Sequence, residues 1–235
     1  MSLFPVTLPS VVRDLASADV ARRQHCLEVI ADIYWKPLYV YLRMRHGMTP
    51  ELAEDTTQAF FTRVIDGSAL VGHDRERGRF RSFLRHAMDN HVIDQHRRRT
   101  AMRRGGPLPH VDLADVEREL AAGGSLEDAF DRVWIERVVA RAVVETLAAL
   151  ERRGKPVHAE LFRRFHLHDD PPRYDAVARE LGITVTDVTN WLHVARREFR
   201  RAALGLLREL TANQEEFVDE ARAAFGIDVT DDSAS

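Results

Sequence analysis

The chain has 235 residues, 45% of them apolar, and a formal net charge of −3 at pH 7; this length suits two compact domains better than one. Its single cysteine, Cys26, excludes a disulfide framework and a cysteine-based metal cluster. The first residues lack the charged start and apolar stretch of a signal peptide, and no run of about eighteen apolar residues occurs. We therefore expect a cytoplasmic protein with no membrane partner.

Apolar residues recur at helical spacing through most of the sequence, and strand-like alternation is nearly absent. We predict an all-α fold made of two small helical domains joined by a linker. The predicted bounds are 1–100 for the first domain, 101–125 for the linker, 126–208 for the second domain and 209–235 for an acidic C-terminal extension. Two glycine-rich breaks, at 105–109 and 123–125, mark the linker.

Charge is segregated along the chain although its total is small. Residues 75–104 contain ten arginines against three acidic residues, a net charge of +7. Residues 206–235 contain two arginines against eight acidic residues, a net charge of −6. The basic segment is the part of the chain best suited to phosphate groups, because the planar guanidinium of arginine binds oxygens in pairs.

The first helix is predicted over Ala18–Arg45, kinked or broken before Pro37 and stopped by Gly47. A second helix begins at Pro50, with Thr49 as its N-cap, and runs to about residue 66. This second helix separates apolar from polar side chains. The polar face consists of Glu51, Glu54, Asp55 and Gln58.

The acidic face of the second helix has two interpretations. A solvated face near a helix N-terminus is favoured by the helix dipole, whereas a docking face for a basic partner would also need this segregation. Phe61 lies between the polar and apolar faces. Periodicity leaves open whether Phe61 belongs to the core or to a contact surface, and we include it with Glu51, Glu54, Asp55 and Gln58 among the candidate docking residues.

A third helix is predicted from Arg79 to about Arg99, and its apolar stripe includes Phe80 and Phe83. Arginines beside aromatic residues are typical of single-stranded DNA binding, in which bases stack and arginines neutralise the backbone. The candidate contacts are Arg79, Arg81, Phe83, Asn90, Arg97 and Arg98. A solvated basic face with core aromatics is the alternative.

Residues 174–199 have the pattern of a helix-turn-helix. Tyr174 and Leu181 are predicted to face inward, Gly182 permits the turn, and Thr184 with Asp187 forms a capping box that starts the second helix. The outer face of that helix is predicted to reach base edges and phosphates. Its candidate residues are Thr186, Asp187, Thr189, Asn190, His193, Arg196, Arg197 and Arg200. An ordinary helical corner is the alternative.

The histidines of the third helix do not indicate a metal site. His86, His91 and His96 are five residues apart, whereas two ligands on one helix face are three or four apart. No phosphate-binding glycine loop or nucleophile motif is present. We predict no catalytic residue, no metal and no cofactor. A metal-dependent hydrolase is a third hypothesis, after the two DNA-binding functions considered below.

In this order the motifs resemble the extracytoplasmic-function sigma factors of bacteria. Residues 53–61 are similar to the acidic helix by which that family docks on the clamp of the polymerase β′ subunit. Residues 80–90 with the arginine cluster are similar to the segment that opens and captures the −10 element. Residues 181–196 are similar to the unit that recognises the −35 element, although Thr189, Trp191 and Val194 stand where many members carry basic residues.

This resemblance implies a non-enzymatic transcription initiation subunit. Its partners would be core RNA polymerase, through the β′ clamp and the β flap, and promoter DNA. The sequence leaves open whether an anti-sigma factor or a kinase also binds it. A free-standing helix-turn-helix regulator is the alternative.

The C-terminal extension exceeds the family's two-domain plan. Its apolar stripe, which includes Phe217 and Phe225, predicts a helix that folds back on the second domain and competes with DNA.

Overall fold

The structure is a computed structural model that describes residues 19–65, 79–102, 125–227 and 229, and for residues 22 and 98–102 it describes the backbone alone. Within these ranges every regular element but a single 3₁₀ position is an α-helix, which confirms the all-α fold. The helices are α1 (Val20–Arg45), α2 (Pro50–Ile65), α3 (Phe80–Met102), α4 (Leu126–Arg152), α5 (Pro156–His166), α6 (Tyr174–Leu181), α7 (Val185–Leu210) and α8 (Gln214–Phe225). None of the described helices is long and apolar enough to cross a membrane.

The helix ends follow local sequence signals. Gly47, after α1, adopts a φ of 56°, a left-handed conformation that glycine tolerates best. The backbone N–H of Leu52 donates to Thr49 Oγ1 at 3.3 Å, so Thr49 caps α2 as predicted. Of the predicted kink or break before Pro37, the break is wrong, because α1 continues through this residue, which is buried. Proline has no backbone N–H, so α1 lacks one helical hydrogen bond at this position.

The described residues form two compact units. The first unit combines the residues up to Arg137 with those from Leu207 onward, and the second unit covers Val138–Leu206. These bounds differ from the predicted domains, because the start of α4 and the C-terminal extension belong with the N-terminal helices. The predicted linker falls almost wholly outside the described residues.

The first unit is built around buried apolar side chains of α1, α2 and α3. Ile30, Leu38, Phe60 and Leu84 each have a relative exposure of 0%, and full burial of such a side chain is worth about 1.5–3 kcal/mol. Cys26 is buried here as well.

Side-chain hydrogen bonds connect α3 to the end of α1 and the residue that follows it. Asp89 accepts a hydrogen bond from the Tyr41 hydroxyl at 2.9 Å and lies 2.8 Å from His46 Nε2. Burial, together with this hydrogen bond to Asp89, raises the pKa of Tyr41 to about 12. Asn90, the residue that follows Asp89 in α3, is exposed.

The second unit has two apolar clusters. One joins α5, α6 and the start of α7 through Leu161, Val177 and Leu192, with Ile183 packed against it. The other joins the end of α4 to α5 and the middle of α7 through Leu150, Phe162 and Ala195. These clusters fix which face of α7 is buried.

The C-terminal extension does not fold on the second unit, so this prediction is wrong. Its helix α8 belongs to the first unit, where Phe217 is 1% exposed and Ala221 is 0% exposed. The guanidinium of Arg208 lies 4.7 Å from the centre of the Phe217 ring. The predicted apolar stripe is therefore real, but it packs within the first unit.

Candidate functional site

The acidic face of α2 is exposed and its apolar face is buried. Glu51, Glu54, Asp55 and Gln58 are all exposed, whereas Ala53, Thr57, Phe60 and Val64 are buried. Among the described residues, no basic side chain forms an ion pair with Glu51, Glu54 or Asp55. The segregation predicted from the sequence is confirmed, and these carboxylates are available to a basic partner.

Phe61 is a core residue and not part of this face. Its relative exposure is 6%, and its ring meets Phe60 edge-on with 5.8 Å between the centroids. The prediction that Phe61 contacts a partner is corrected, because a side chain this deeply buried cannot form an outer contact without unpacking the core.

Arg81, predicted as a DNA contact, is buried at the start of α3. Its Nη1 lies 3.1 Å from Asp131 Oδ1, and its Nε lies 3.0 Å from Glu220 Oε1. The guanidinium also lies 5.0 Å from the ring centre of Trp134. Because only 5% of its side chain is exposed, Arg81 cannot contact DNA in this conformation.

Arg79 and Phe83 are only partly exposed. The Arg79 guanidinium lies 3.7 Å from both Asp219 Oδ2 and Glu220 Oε1, and 41% of the side chain is exposed. Phe83 is half-buried and stacks against Phe80 with 6.2 Å between the ring centroids. Of the two aromatics, Phe80 is a core residue, and Phe83 is half-buried.

The far half of α3 is more open. Asn90 and Arg97, both candidate DNA contacts, are exposed. His91 between them is buried, with Nδ1 3.0 Å from Arg63 Nη1 and Nε2 2.8 Å from Gln95 Nε2. The side chain of Arg98 lies outside the described residues.

The connection between α6 and α7 has the local geometry that its sequence predicts. Gly182 adopts a φ of 64° and caps α6 in the left-handed conformation. The N–H of Asp187 donates to Thr184 Oγ1 at 3.1 Å, while the N–H and hydroxyl of Thr184 donate to Asp187 Oδ2 at 3.0 and 2.6 Å. The capping box is thus confirmed.

This capping box changes the interpretation of Asp187. Hydrogen bonds from the side chain and backbone of Thr184 hold the pKa of Asp187 below its ordinary value. The carboxylate is committed to the helix end, so it is first a capping group, and a role in contacting bases is secondary.

The outer face of α7 is polar and accessible. Val188, Leu192 and Ala195 are buried beneath it. The exposed candidates are Thr186, Thr189, Asn190, His193, Arg196, Arg197 and Arg200. Thr189 Oγ1 donates to the carbonyl of Val185 at 3.0 Å, which leaves its methyl group as the more available contact.

Sequence reasoning missed two neighbours of α7. Arg196 Nε donates to His166 Nε2 at 3.0 Å, and its Nη2 lies 3.5 Å from the Tyr174 hydroxyl. Burial and the positive charge of Arg196 lower the pKa of His166. Tyr174 is 37% exposed, so the prediction that it points inward is wrong, although its ring still packs on Phe165.

Trp191 was noted only as a departure from basic residues. Its ring stacks on His158 at 5.2 Å with an interplanar angle of 16°. The stack joins α5 to α7. No sequence periodicity could have paired two residues 33 positions apart.

No protein-family model, curated protein or solved structure matches the chain. Within the described ranges, no three histidine, cysteine or acidic side chains are grouped so that they could hold a metal ion.

Proposed function

We propose that this protein is a sigma factor of the extracytoplasmic-function kind, which binds core RNA polymerase and directs it to promoters through their −10 and −35 elements. One observation carries the proposal: α2 presents an exposed row of carboxylates with no ion-pair partner among the described residues, while its opposite face is buried. A helix that needs only solubility would gain from nearby basic residues, which stabilise an isolated helix by about 0.2–0.5 kcal/mol per pair. A row without such pairs suits a basic partner.

The second unit supports the DNA-binding part of the proposal. A left-handed glycine cap and a capping box fix the turn before α7, and the exposed face of α7 carries both hydrogen-bonding and cationic side chains. Asn190 and His193 are suited to base edges, whereas Arg197 and Arg200 are suited to phosphates. In this proposal α6 and α7 form a helix-turn-helix that binds the −35 element.

The first unit would act on the −10 element through α3. Asn90 and Arg97 lie exposed on this helix, and the half-buried Phe83 is the aromatic side chain of the predicted contacts that would stack on an unpaired base. The arginines neutralise the backbone of the separated strand. The sequence assigns Arg79 and Arg81 to the same candidate DNA-binding surface. In the structure, however, carboxylates of α8 contact both arginines.

The decisive test is binding to sigma-free bacterial core RNA polymerase. We expect the double variant Glu54→Ala/Asp55→Ala to bind at least about tenfold more weakly than the wild type, because it removes two charges from the interface. Affinity is measured by fluorescence anisotropy of the labelled chain at low and high salt.

The matched control is Asp169→Ala/Asp170→Ala. This adjacent, exposed acidic pair lies between α5 and α6, so the change in net charge is the same and the face of α2 is intact. Unchanged affinity of the Glu54→Ala/Asp55→Ala variant, or an equal loss in both variants, would favour a free-standing helix-turn-helix regulator.

A further inference from the structure

The acidic residues of α8 contact the basic start of α3. Glu216 Oε1 accepts a hydrogen bond from the backbone N–H of Phe80 at 2.7 Å, at the first position of α3. The carboxylate of Glu220 lies 3.0 Å from Arg81 Nε and 3.7 Å from Arg79 Nε. Asp219 lies 3.7 Å from the same Arg79 guanidinium. Three carboxylates of one helix therefore surround two arginines and a helix N-terminus.

This set of contacts is the set that a nucleic-acid phosphate would use. Phosphates bind at helix N-termini, through free N–H groups, and to arginine, through charge-assisted hydrogen bonds. In the structure carboxylates of α8 hold the N–H of Phe80 and both arginines. The side chain of Arg81 is 5% exposed, so a phosphate can reach it only after α8 has moved.

α8 is capped at both ends within its own segment. Its N-terminus is capped by Asn213, whose side chain accepts a hydrogen bond from the N–H of Glu216. It ends at Gly226, which has a left-handed φ of 65°. Phe217 is its single large fully buried side chain. Both helix ends are thus satisfied within the segment 213–226.

The electrostatic contacts beneath α8 are incompletely satisfied. Both carboxylate oxygens of Glu220 and Oδ1 of Asp131 are buried without a well-formed hydrogen bond, although Arg81 lies close to each residue. Desolvation of such charges opposes much of their mutual attraction. The contact therefore combines high charge complementarity with modest stability, and a polyanion can compete with it.

We propose that α8 is an acidic plug that occupies the Arg79–Arg81 surface and must be displaced before that surface binds the separated DNA strand. This inference rests on the proposed function, which assigns the surface to the −10 element. The proposed competition between α8 and DNA takes place on α3, where the blocked arginines lie, and not on the second unit. The occupant is a segment of the chain itself, and the competing ligand is single-stranded DNA.

The first experiment uses the unmodified full-length chain. Hydrogen–deuterium exchange of the backbone amides of α8 is measured with and without a saturating mixed-sequence, single-stranded DNA oligonucleotide at low salt. We expect faster exchange of the α8 amides in the DNA complex than in the free chain. DNA binding with α8 still protected would overturn the inference and leave the proposed function standing.

The second experiment compares two charge reversals on α8. Asp219→Arg places a positive charge beside Arg79, whereas Glu215→Arg makes the same change in net charge at an exposed position with no ion pair among the described residues. We expect Asp219→Arg to raise the affinity for the oligonucleotide about tenfold more than Glu215→Arg does, and to raise the phenylglyoxal reactivity of Arg81.

Equal gains in affinity for the two variants, with Arg81 equally protected, would overturn the plug. Adding Glu220→Gln to Asp219→Arg gives a second, stronger variant that retains the shape of the buried side chain. A failure of the wild type and of every variant to bind the oligonucleotide would overturn the −10 part of the proposed function, and the plug with it.

Discussion

α2 and α8 are both acidic, amphipathic helices of the first unit, yet they place their carboxylates in opposite surroundings. On α2, Glu54 and Asp55 are exposed and without ion pairs to described residues. On α8, Glu220 is 2% exposed and lies against Arg81. A count of acidic residues in a helix therefore does not reveal whether those residues bind a partner or stabilise the fold. An exposed carboxylate without a nearby cation is available to an external partner, whereas a buried carboxylate beside an arginine already has an internal partner.

The largest expected effect comes from removal of the cation beneath α8. Arg81→Ala should lower the free energy of unfolding of the first unit by about 3–5 kcal/mol, because the buried Glu220 carboxylate loses its counter-charge and must either stay unpaired or take up a proton. The measurement is urea unfolding followed by tryptophan fluorescence, to which Trp134 of this unit contributes. Arg79→Ala is the matched control: its guanidinium is 41% exposed and 3.7 Å from its partners, so about 0–1 kcal/mol is expected. Similar losses in the two variants would contradict the assigned difference in burial.

A pH dependence of intermediate size is expected at the same position. Burial raises the pKa of Glu220 from 4.5 to about 7, against the opposing effect of Arg81 and Arg79 and with the help of Glu216 and Asp131. The folded chain therefore holds this proton more tightly than the unfolded chain. The contribution of Glu220 to stability is greatest below pH 4.5 and is lost as the pH rises to about 7.

This contribution is isolated by comparing the wild type with Glu220→Gln, which mimics the protonated carboxyl. Between pH 5 and 7 the stability of the wild type relative to the variant should fall with rising pH by at most about 1.4 kcal/mol per pH unit. Urea unfolding at a series of pH values checks the slope. A relative stability that rises with pH in this window would mean that the arginines outweigh burial and that Glu220 is anionic throughout.

The smallest effect is expected on α2. Glu54→Ala/Asp55→Ala should change the free energy of unfolding by less than about 0.5 kcal/mol, because both side chains are exposed and form no ion pair with described residues. Thermal unfolding by circular dichroism checks this in the same preparations that are used for polymerase binding. A loss of 2 kcal/mol or more would show that the acidic face supports the fold, and a weakened polymerase contact in that variant could then not be assigned to docking.

The sequence predicted what depends on local signals. Helix bounds fell within a few residues of those observed, and the caps of α2 and α7 followed from Thr49, Thr184 and Asp187. The buried face of α7 followed from its periodicity, because a helix repeats its inward positions every three or four residues.

What the sequence did not predict depends on long-range pairing. Arg81 stands beside Phe80 in the buried stripe, but its burial requires Asp131 and Glu220, which are 50 and 139 residues away. Periodicity identified the apolar face of α8 without identifying the helices that cover it. For the same reason the packing of α8 was assigned to the wrong unit, and Phe61 was assigned to the wrong side of α2.

The capping box of α7 makes the distribution of charge along that helix asymmetric. Asp187 places a fixed negative charge at the leading end, where a helix otherwise attracts phosphate. The exposed guanidinium groups of Arg196, Arg197 and Arg200 lie two to four turns further along. In the proposed complex with DNA, the phosphate backbone is therefore attracted to the arginine end of α7 and not to its capped end.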